Sequence, residues 1–317
     1  MSVAEIDPTV SALLSRLAPS SASPLTSLEY WTLSRSVPLS ELAGKSADEL
    51  SAKLGIKPDV AARIPVLLER SMALAIATEE FEHRGFWVIT GNDPHYPQRL
   101  RDRLGDQAPA ILYGVGDRRL LNVDGLGVVG SRDIGPDQVA VAKSVAHAAA
   151  RQSVPVVSGG ARGVDQQAMS AAFEYGGTVV GALADSLLRT ANDSSIRHAV
   201  AEERLCLVTP YSPSAPFSAG NAMGRNKIIY GLSSAVVVVR SDKDSGGTWA
   251  GATEALKKNY TAVYSWVGAG AGPGNGPLVD LGAHTLDEAD DLAERLFERR
   301  DIERVAPIKQ SVPATLF

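Results

Sequence analysis

Apolar runs rich in valine and isoleucine alternate with longer amphipathic stretches over much of this chain. A short apolar run bounded by small residues is typical of a buried strand, whereas apolar spacings of three and four predict helices. The predicted strands are 86–90, 110–114, 126–130, 154–158, 178–183, 205–208, 235–239 and 261–266. The predicted helices are 136–151, 164–175, 194–203, 221–232 and 249–259. This alternation indicates an α/β fold with a doubly wound, mostly parallel sheet.

The N-terminal quarter has a different, helical pattern. Residues 25–84 predict a small helical module, in which Ser46-Ala-Asp-Glu49 fits a capping box. Leu54-Gly-Ile-Lys-Pro-Asp-Val60 is typical of a turn between two short helices. Two interpretations stay open: a helix-hairpin-helix or SAM-like module that binds a DNA backbone, or a helical cap without a ligand. Residues 1–24, rich in Ser, Pro and Ala, are expected to be flexible.

Three apolar runs end in clusters of small residues. These are Leu126-Gly-Val-Val-Gly-Ser-Arg132, Pro155-Val-Val-Ser-Gly-Gly-Ala-Arg-Gly-Val-Asp165, and Ala235–Ser241 followed by Ser245-Gly-Gly-Thr248. Loops with exposed backbone N–H groups at the carboxyl ends of strands bind phosphates and nucleotides in open α/β sheets. An arginine lies in two of the loops and adds a charge-assisted, bidentate donor. The sequence therefore predicts a phosphate-binding site.

The composition limits the kind of protein this can be. The 317 residues are 44% hydrophobic and 21% charged, with a net charge of −5. Any binding of nucleic acid must therefore rely on positive charge concentrated locally. Cys206 is the single cysteine, which excludes a disulfide within the chain and four-ligand sites rich in cysteine. No apolar run reaches the ~20 residues that span a bilayer, and no secretory signal is evident, so we expect a cytoplasmic protein without membrane contact.

Six segments together resemble the DNA-processing protein A family, also called DprA or Smf. They are Asp93-Pro-His-Tyr-Pro-Gln-Arg-Leu100, Ala110-Ile-Leu-Tyr-Gly114, Val128-Val-Gly-Ser-Arg132, Val157-Ser-Gly-Gly-Ala-Arg-Gly-Val-Asp165, Gly224-Arg-Asn-Lys-Ile-Ile-Tyr-Gly-Leu-Ser233 and Ser245-Gly-Gly-Thr248. No single segment is specific for this family, but the six segments in this order, over residues 93–255 approximately, are specific for it. The resemblance implies a Rossmann-like domain over 85–302, related to the nucleotide-binding LOG proteins, with a tail at 303–317.

The chain departs from the family pattern at several positions. Met169 stands where the family usually has a histidine, and Phe217-Ser-Ala-Gly-Asn-Ala-Met223 lengthens the segment before the Arg-Asn-Lys motif. Gly246-Gly-Thr-Trp-Ala-Gly-Ala-Thr-Glu254 is closer to a LOG nucleotide-binding loop. We therefore expect this chain to lack the winged helix that is often found at the family's C-terminus.

The resemblance and the loops together define a candidate site for DNA or phosphate. It comprises Gly130, Ser131, Arg132, Ser158, Gly159, Gly160, Arg162, Gly163, Phe217, Arg225, Asn226, Lys227, Ser245, Gly246, Gly247 and Thr248. The arginines and Lys227 would neutralise phosphate charge. Phe217 would stack on a base, or it would pack in the core or serve as a lid.

Each of these features also has a plainer interpretation. Arg132 would then cap a neighbouring carbonyl, the glycines would form a tight turn for packing, and the Arg-Asn-Lys motif would be a solvated helix start. Asp165 is expected to be structural, as a cap or as a partner of Arg162 or Arg225. No nucleophile, catalytic triad, paired carboxylates or metal-ligand spacing is evident, so we expect no metal and no cofactor, and binding rather than catalysis.

Two functions are therefore carried forward. The first is a DprA-like protein that binds single-stranded DNA in DNA uptake and recombination, acts as a homodimer and loads a RecA-type recombinase. The second is a LOG-like protein that binds or hydrolyses a nucleotide or nucleotide signal, in phage defence for example; a scaffold that keeps only the fold is a blander third. The end of the chain, Leu316-Phe317, resembles peptides that bind the bacterial sliding clamp, although an incidental apolar terminus is the favoured explanation.

Overall fold

A computed structural model of the chain describes residues 7–287 and contains one nine-stranded sheet over that range. The strands are β1 (Phe86–Thr90), β2 (Ile111–Gly116), β3 (Gly125–Val129), β4 (Val156–Ser158), β5 (Val179–Ala182), β6 (Leu205–Thr209), β7 (Ser233–Val238), β8 (Ala262–Trp266) and β9 (His284–Leu286). All eight predicted strands are present, and β9 is additional. The valine-rich strands are buried along their whole length in the centre of the sheet, which is why they read as continuous apolar runs.

Thirteen α-helices accompany the sheet within the described residues. They are α1 (Pro8–Leu14), α2 (Ser27–Ser36), α3 (Ala47–Leu54), α4 (Pro58–Glu69), α5 (Ser71–His83), α6 (Gln98–Leu104), α7 (Pro136–Arg151), α8 (Val164–Glu174), α9 (Leu187–Ala191), α10 (Ser194–Ala201), α11 (Ala219–Leu232), α12 (Gly246–Lys258) and α13 (Asn275–Asp280). The five predicted helices correspond to α7, α8, α10, α11 and α12, with ends that shift by at most three residues.

The strand order identifies the edge of the sheet at which a ligand is expected to bind. The order is β1-β2-β6-β5-β4-β3-β7-β8-β9, and the strands from β6 to β9 in that order are all parallel. β1 and β2 join antiparallel at one edge. The chain builds outward from β3 in one direction and returns to build from β7 in the other. In open α/β sheets, ligands bind beside the carboxyl ends of strands at such a reversal, which here falls between β3 and β7.

The expectation that residues 1–24 are flexible is wrong for α1. Asp7 caps this helix through its carboxylate, and Val10, Leu13 and Leu14 are buried in the main core. The composition of this seven-residue segment predicts no helix. Burial of these three apolar side chains stabilises α1, and only tertiary contacts provide that burial.

The helical module shares the core of the sheet. The indole Nε1 of Trp31 donates to the Ala108 carbonyl at 2.8 Å, and Phe81 stacks on Phe86 with ring centroids 4.7 Å apart. The predicted capping box is confirmed, since Ser46 and Glu49 satisfy each other's backbone N–H groups. In the turn that follows, Gly55 adopts φ +65° and ends α3, a conformation that favours glycine.

Two segments near the C-terminus differ from what their sequence predicts, which is a flexible loop for the glycine-rich residues 268–277 and a charged helix for residues 285–300. Residues 268–277, expected to be a glycine-rich loop, include the start of α13, where the buried Asn275 side chain donates to the Val238 carbonyl at 3.1 Å. Residues 285–300 are expected to be helical; residues 285 and 286 lie instead in β9, and residues 288–300 lie outside the described residues. The clamp-like end at Leu316-Phe317 lies outside the described residues.

The motif Asp93–Leu100 and the helix after it position α11. Arg99 donates to the Leu232 carbonyl at 3.2 Å, and Arg103 donates to the Gly231 carbonyl at 3.0 Å. Both arginines therefore satisfy carbonyls at the C-terminal end of α11, where the helix dipole favours positive charge. This family motif acts at a distance, by fixing the helix that carries Arg225.

Candidate phosphate-binding crevice

A cavity of about 830 Å³ opens at the carboxyl ends of β3 and β7, and we call it the crevice. Its walls come from the ends of these two strands, from α11 and from the first turn of α12. The predicted residues that line it are Gly130, Ser131, Arg132, Phe217, Arg225, Asn226, Ser245, Gly246, Gly247 and Thr248. The predicted residues that do not line it are Ser158, Gly159, Gly160, Arg162, Gly163 and Lys227.

The loop after β4, residues 158–163, already holds an anion that belongs to the protein. The carboxylate of Asp165 accepts a hydrogen bond from the Gly159 backbone N–H at 3.2 Å. It also accepts from the backbone N–H groups of Gly130 and Ala161. The sequence predicts that this loop binds a ligand phosphate, but Asp165 occupies these donors. We call residues 158–163 the filled loop.

Asp165 also forms a buried ion pair with Arg225. The carboxylate lies 3.7 Å from the guanidinium Nη1, and each residue is only 5% exposed. Burial raises the pKa of Asp165, while Arg225 and the backbone N–H groups act in the opposite direction. Burial also lowers the pKa of Arg225, which Asp165 counteracts. The pair thus ties α11 to the ends of β3 and β4 and contributes no net charge to the crevice.

The glycines of the filled loop allow protein groups, rather than a ligand, to approach the backbone. A Cβ on Gly159 would lie 1.3 Å from Arg225 Nη1, so Arg225 occupies the space that a side chain would need. Gly163 has φ +91°, and a Cβ there would lie 2.4 Å from the Ser131 carbonyl oxygen. For these glycines the plainer interpretation, a turn required for packing, is the one that the geometry supports.

The two loop serines are also bonded within the protein. Ser131 donates its backbone N–H to the Arg240 carbonyl at 3.0 Å, and its hydroxyl donates to the same oxygen at 3.3 Å. The Ser158 hydroxyl donates to the Val128 carbonyl at 2.6 Å and is fully buried. Both serines therefore join neighbouring strand ends and offer few donors to a ligand.

Arg132 and Phe217 form an exposed pair at the mouth of the crevice. The guanidinium carbon of Arg132 lies 5.4 Å from the centroid of the Phe217 ring, which is a cation–π contact. Phe217 is 52% exposed, which excludes a core role for its ring. Within residues 7–287, Arg132 makes no ion pair, so its charge is free for a ligand. Arg162 is likewise exposed and unpaired there, but it does not line the crevice, although its neighbour Ala161 does.

The start of α12 lines the opposite wall. Its N-cap residue, Ser245, makes no side-chain cap hydrogen bond, so the first-turn N–H groups of Gly246, Gly247 and Thr248 lack that acceptor. The helix dipole adds positive potential at the same place. We call residues 245–248 the open loop, because they line the crevice and no carboxylate of residues 7–287 accepts from the N–H groups of Gly246, Gly247 and Thr248.

The Arg-Asn-Lys motif divides into three different roles. Arg225 lines the crevice while it is paired with the buried Asp165. The Asn226 side-chain amide donates to the Gly247 carbonyl at 3.1 Å, which ties α11 to the open loop. Lys227 points elsewhere: it donates to Gln107 at 2.6 Å and pairs with Glu254 at 3.2 Å. The prediction that Lys227 lies in the positive pocket is wrong, because its helical position turns it away from Arg225.

Sequence reasoning missed several charged groups of the crevice. Arg240 lines it from the end of β7 and lies 3.9 Å from Asp242. Asp133 and Asp244 line it as well. Arg240 and Asp242 directly follow the third valine-rich run, a position at the carboxyl end of a strand that could have drawn attention to them. The lining contains one more aspartate than arginine, so its net charge is −1, close to neutral, and its positive potential is confined to Arg132 and the open loop.

The described residues contain no group of three or more His, Cys, Asp or Glu side chains that could hold a metal ion. No helix among them is long and apolar enough to cross a membrane.

The fold and the crevice define an α/β protein of the doubly wound, Rossmann-like class, with its candidate site at the reversal of strand order. The family model described as DNA recombination-mediator protein A matches residues 87–297, about two thirds of the chain. The chain therefore belongs to this family.

Individual relatives agree with that assignment. A Mycobacterium tuberculosis protein that bears the name DprA is 31% identical over 228 residues, which is 67% of this chain and 58% of that relative. The chain thus spans less than two thirds of that relative's length. The X-ray structure of DprA from Streptococcus pneumoniae matches with a TM-score of 0.62 and 22% identity, over 85% of this chain and 98% of that one.

A further structure concerns the single-stranded DNA binding mode of DprA from Helicobacter pylori. It matches with a TM-score of 0.56 and 21% identity, over 68% of this chain and 96% of that one. At these identities the two structures establish the fold that this chain shares with DprA.

Proposed function

We propose that this protein binds single-stranded DNA in the crevice and acts in DNA recombination. A backbone phosphate would lie between Arg132 and the first turn of α12, and an unstacked base would lie against Phe217. A single strand suits this site because its bases are free to stack on an exposed aromatic ring.

The observation that carries the proposal is the Arg132–Phe217 pair opposite the open loop. The pair offers a cation that has no ion-pair partner in the described part of the chain, and an exposed ring 5.4 Å from it. Such a combination matches one nucleotide of a strand, a phosphate beside a flat base, and each stacked base contributes ~1–3 kcal/mol in single-strand binders. Membership of a family named for recombination mediation supports the same function.

The proposal includes two partners that the family resemblance suggests. The protein would act as a homodimer, so that two crevices engage one strand, and would deliver the strand to a RecA-type recombinase. Light scattering at micromolar concentration tests the first element, and pull-down of a purified recombinase tests the second. A cytoplasmic location and binding to the sliding clamp through Leu316-Phe317 stay predictions.

Fluorescence anisotropy with labelled single-stranded and duplex DNA tests the central proposal across a series of salt concentrations. We expect a preference for the single strand and a decrease of affinity with salt. Arg132→Ala should weaken binding about tenfold and reduce the slope of log K against log salt by roughly 0.7, since one phosphate contact is lost.

Lys227→Ala is the matched control, because it removes one positive charge outside the crevice. Its affinity should stay within about twofold of the wild type. Equal losses in both variants would mean that overall charge, not the crevice, holds the DNA, and would refute the site.

A second candidate function has one specific observation in its favour. Asp133, Asp242 and Asp244 offset the arginines of the crevice, and a polyanion gains less from a neutral cavity than a single nucleotide does. A small nucleotide-derived ligand would use the same open loop. Mass spectrometry of small molecules released from the purified protein tests this alternative: a stoichiometric nucleotide supports it, and none released together with tight DNA binding refutes it.

A further inference from the structure

A second cavity lies in the helical module. It has a volume of about 260 Å³ and lies between the connection from α1 to α2 and the junction of α4 with α5. Arg16 and Arg70 line it together with the serine-rich segment 20–24. This segment belongs to the Ser/Pro/Ala stretch that we expected to be flexible, and nothing in the proposed function uses it.

Arg70 is a buried cation that has no carboxylate partner among residues 7–287. It is 9% exposed, and its guanidinium donates to the carbonyls of Ala12, Ser15 and Ala18 at 2.7 to 2.9 Å. The carbonyls fix the side chain but do not neutralise it, and Nε has no hydrogen-bond partner among the described residues. A buried charge normally has a counter-ion, so an anion is missing from this arrangement.

The neighbouring arginine strengthens the positive potential. Arg16 is exposed, and it makes no ion pair in the described part of the chain. Its charge acts on Arg70, since burial first and then Arg16 lower the pKa of the Arg70 guanidinium. The other arginine of α4 near this segment, Arg63, is paired with Glu29 and adds no net charge.

Three carbonyls of residues 18–24 accept from arginines, and three backbone N–H groups of the same segment have no acceptor in the described part of the chain. Arg70 binds the Ala18 carbonyl, and Arg63 donates to the Ser23 and Pro24 carbonyls at 3.3 and 3.4 Å. In contrast, the backbone N–H groups of Ser20 and Ser21 have no acceptor among the described residues, and neither does that of Ser23. A loop that presents N–H and hydroxyl donors beside two cations is a receptor for an oxyanion.

We propose that this cavity is a second phosphate-binding site, formed by Arg16, Arg70, Ser20, Ser21 and Ser23. Its ligand is a phosphate group, whose oxygens match both the guanidinium groups and the serine donors. The phosphate comes either from the backbone of a nucleic acid or from a free phosphate, and the two sources share this chemistry. The inference does not depend on the crevice binding DNA.

Titration of the full chain with inorganic phosphate tests the proposal by NMR, with serine labelled in its backbone nitrogen. The amide signals of Ser20, Ser21 and Ser23 should shift in a saturable way at millimolar phosphate, and equal ionic strength of sodium chloride should not shift them. Arg16→Ala should weaken this response about tenfold, because a charge-assisted contact is lost. Arg16 is exposed, so this variant keeps the fold.

Arg132→Ala and Arg151→Ala are the controls. Arg132→Ala alters the crevice and should leave the shifts of Ser20, Ser21 and Ser23 unchanged, which separates this site from the first. Arg151 is an exposed arginine at the end of α7, and its removal changes the net charge by the same amount. Absence of shifts in the wild type, or an equal response in Arg16→Ala, would overturn the proposal.

A second titration distinguishes the two sources. If an oligonucleotide shifts the three serine amides and Arg16→Ala abolishes that effect, the phosphate belongs to a nucleic acid. If inorganic phosphate shifts them and an oligonucleotide does not, the ligand is a free phosphate. Both results support the site, and the first would extend the nucleic-acid surface from the crevice to the helical module.

Discussion

Two loops of this protein contain the same three residues, Ser-Gly-Gly, and serve different purposes. The filled loop begins with Ser158-Gly159-Gly160 after β4, and the open loop is Ser245-Gly246-Gly247 at the start of α12. In the first, Asp165 accepts from the backbone N–H groups and Arg225 occupies the space above the glycine. In the second, the N–H groups have no side-chain cap and line the crevice.

The difference shows that a glycine-rich loop indicates that another group lies close to its backbone. It does not indicate whether that group belongs to the protein or to a ligand. Six residues after Gly159 the chain places Asp165 in the first turn of α8, where it reaches back to the loop. Six residues after Gly246 it places Ala252, whose methyl side chain cannot donate or accept a hydrogen bond. An internal carboxylate therefore makes one loop structural, and its absence leaves the other available to an external anion.

The largest expected effect comes from removing the internal anion. Asp165→Asn keeps the shape of the side chain but leaves Arg225 buried without a counter-charge. We expect a loss of ~3–5 kcal/mol in the free energy of unfolding, measured by urea denaturation. Asp244→Asn in the loop before α12 is the control, because Asp244 is exposed at φ +55° and asparagine tolerates that conformation. If the two variants lose the same free energy, Asp165 does not stabilise the filled loop.

The next largest effect on stability is expected from alanine substitutions at the glycines of the two loops. Gly159→Ala forces a Cβ into the Arg225 guanidinium, so the free energy of unfolding should fall by ~2–3 kcal/mol. Gly247→Ala meets only an ordinary contact with Asn226 at 3.5 Å and should change stability by less than ~0.5 kcal/mol. Urea denaturation measures both, and a costlier Gly247→Ala would reverse the comparison of the two loops.

A third variant gives the open loop an anion of its own. Thr248→Asp adds a carboxylate to the first turn of α12, which should stabilise the helix by ~0.3–1 kcal/mol. The same carboxylate should lower the affinity for single-stranded DNA about tenfold, because it competes with a phosphate for the N–H groups. Thr248→Asn carries no charge and should lower affinity much less. A Thr248→Asp protein with unchanged DNA affinity would exclude α12 from the binding site.

The smallest effect is expected at Arg162, which sequence reasoning placed among the phosphate ligands. It belongs to the filled loop and does not line the crevice, so Arg162→Ala should change the DNA dissociation constant less than about twofold. Fluorescence anisotropy of Arg162→Ala, measured in parallel with Arg132→Ala, gives this dissociation constant directly. A loss as large as that of Arg132→Ala would show that the strand extends across the filled loop.

Much of the fold could be predicted because it follows from local pattern. The valine-rich strands β3 to β8 and helix α7 have the periodicity of buried strands and of an amphipathic helix, and both were found where predicted. In contrast, α1 is a short helix that burial of Val10, Leu13 and Leu14 stabilises, and no local pattern reveals such contacts.

The candidate site shows the same division. That glycine-rich loops and arginines follow the strands of an α/β sheet can be predicted from the amino-acid sequence, since strand propensity and glycine's lack of a Cβ are local properties. That Asp165 fills one loop, that Lys227 pairs with Glu254, and that Arg132 lies beside Phe217 depends on the folded arrangement. These outcomes depend on which distant groups the fold brings within hydrogen-bond distance, and that is fixed by the packing of α8 and α11 against the sheet.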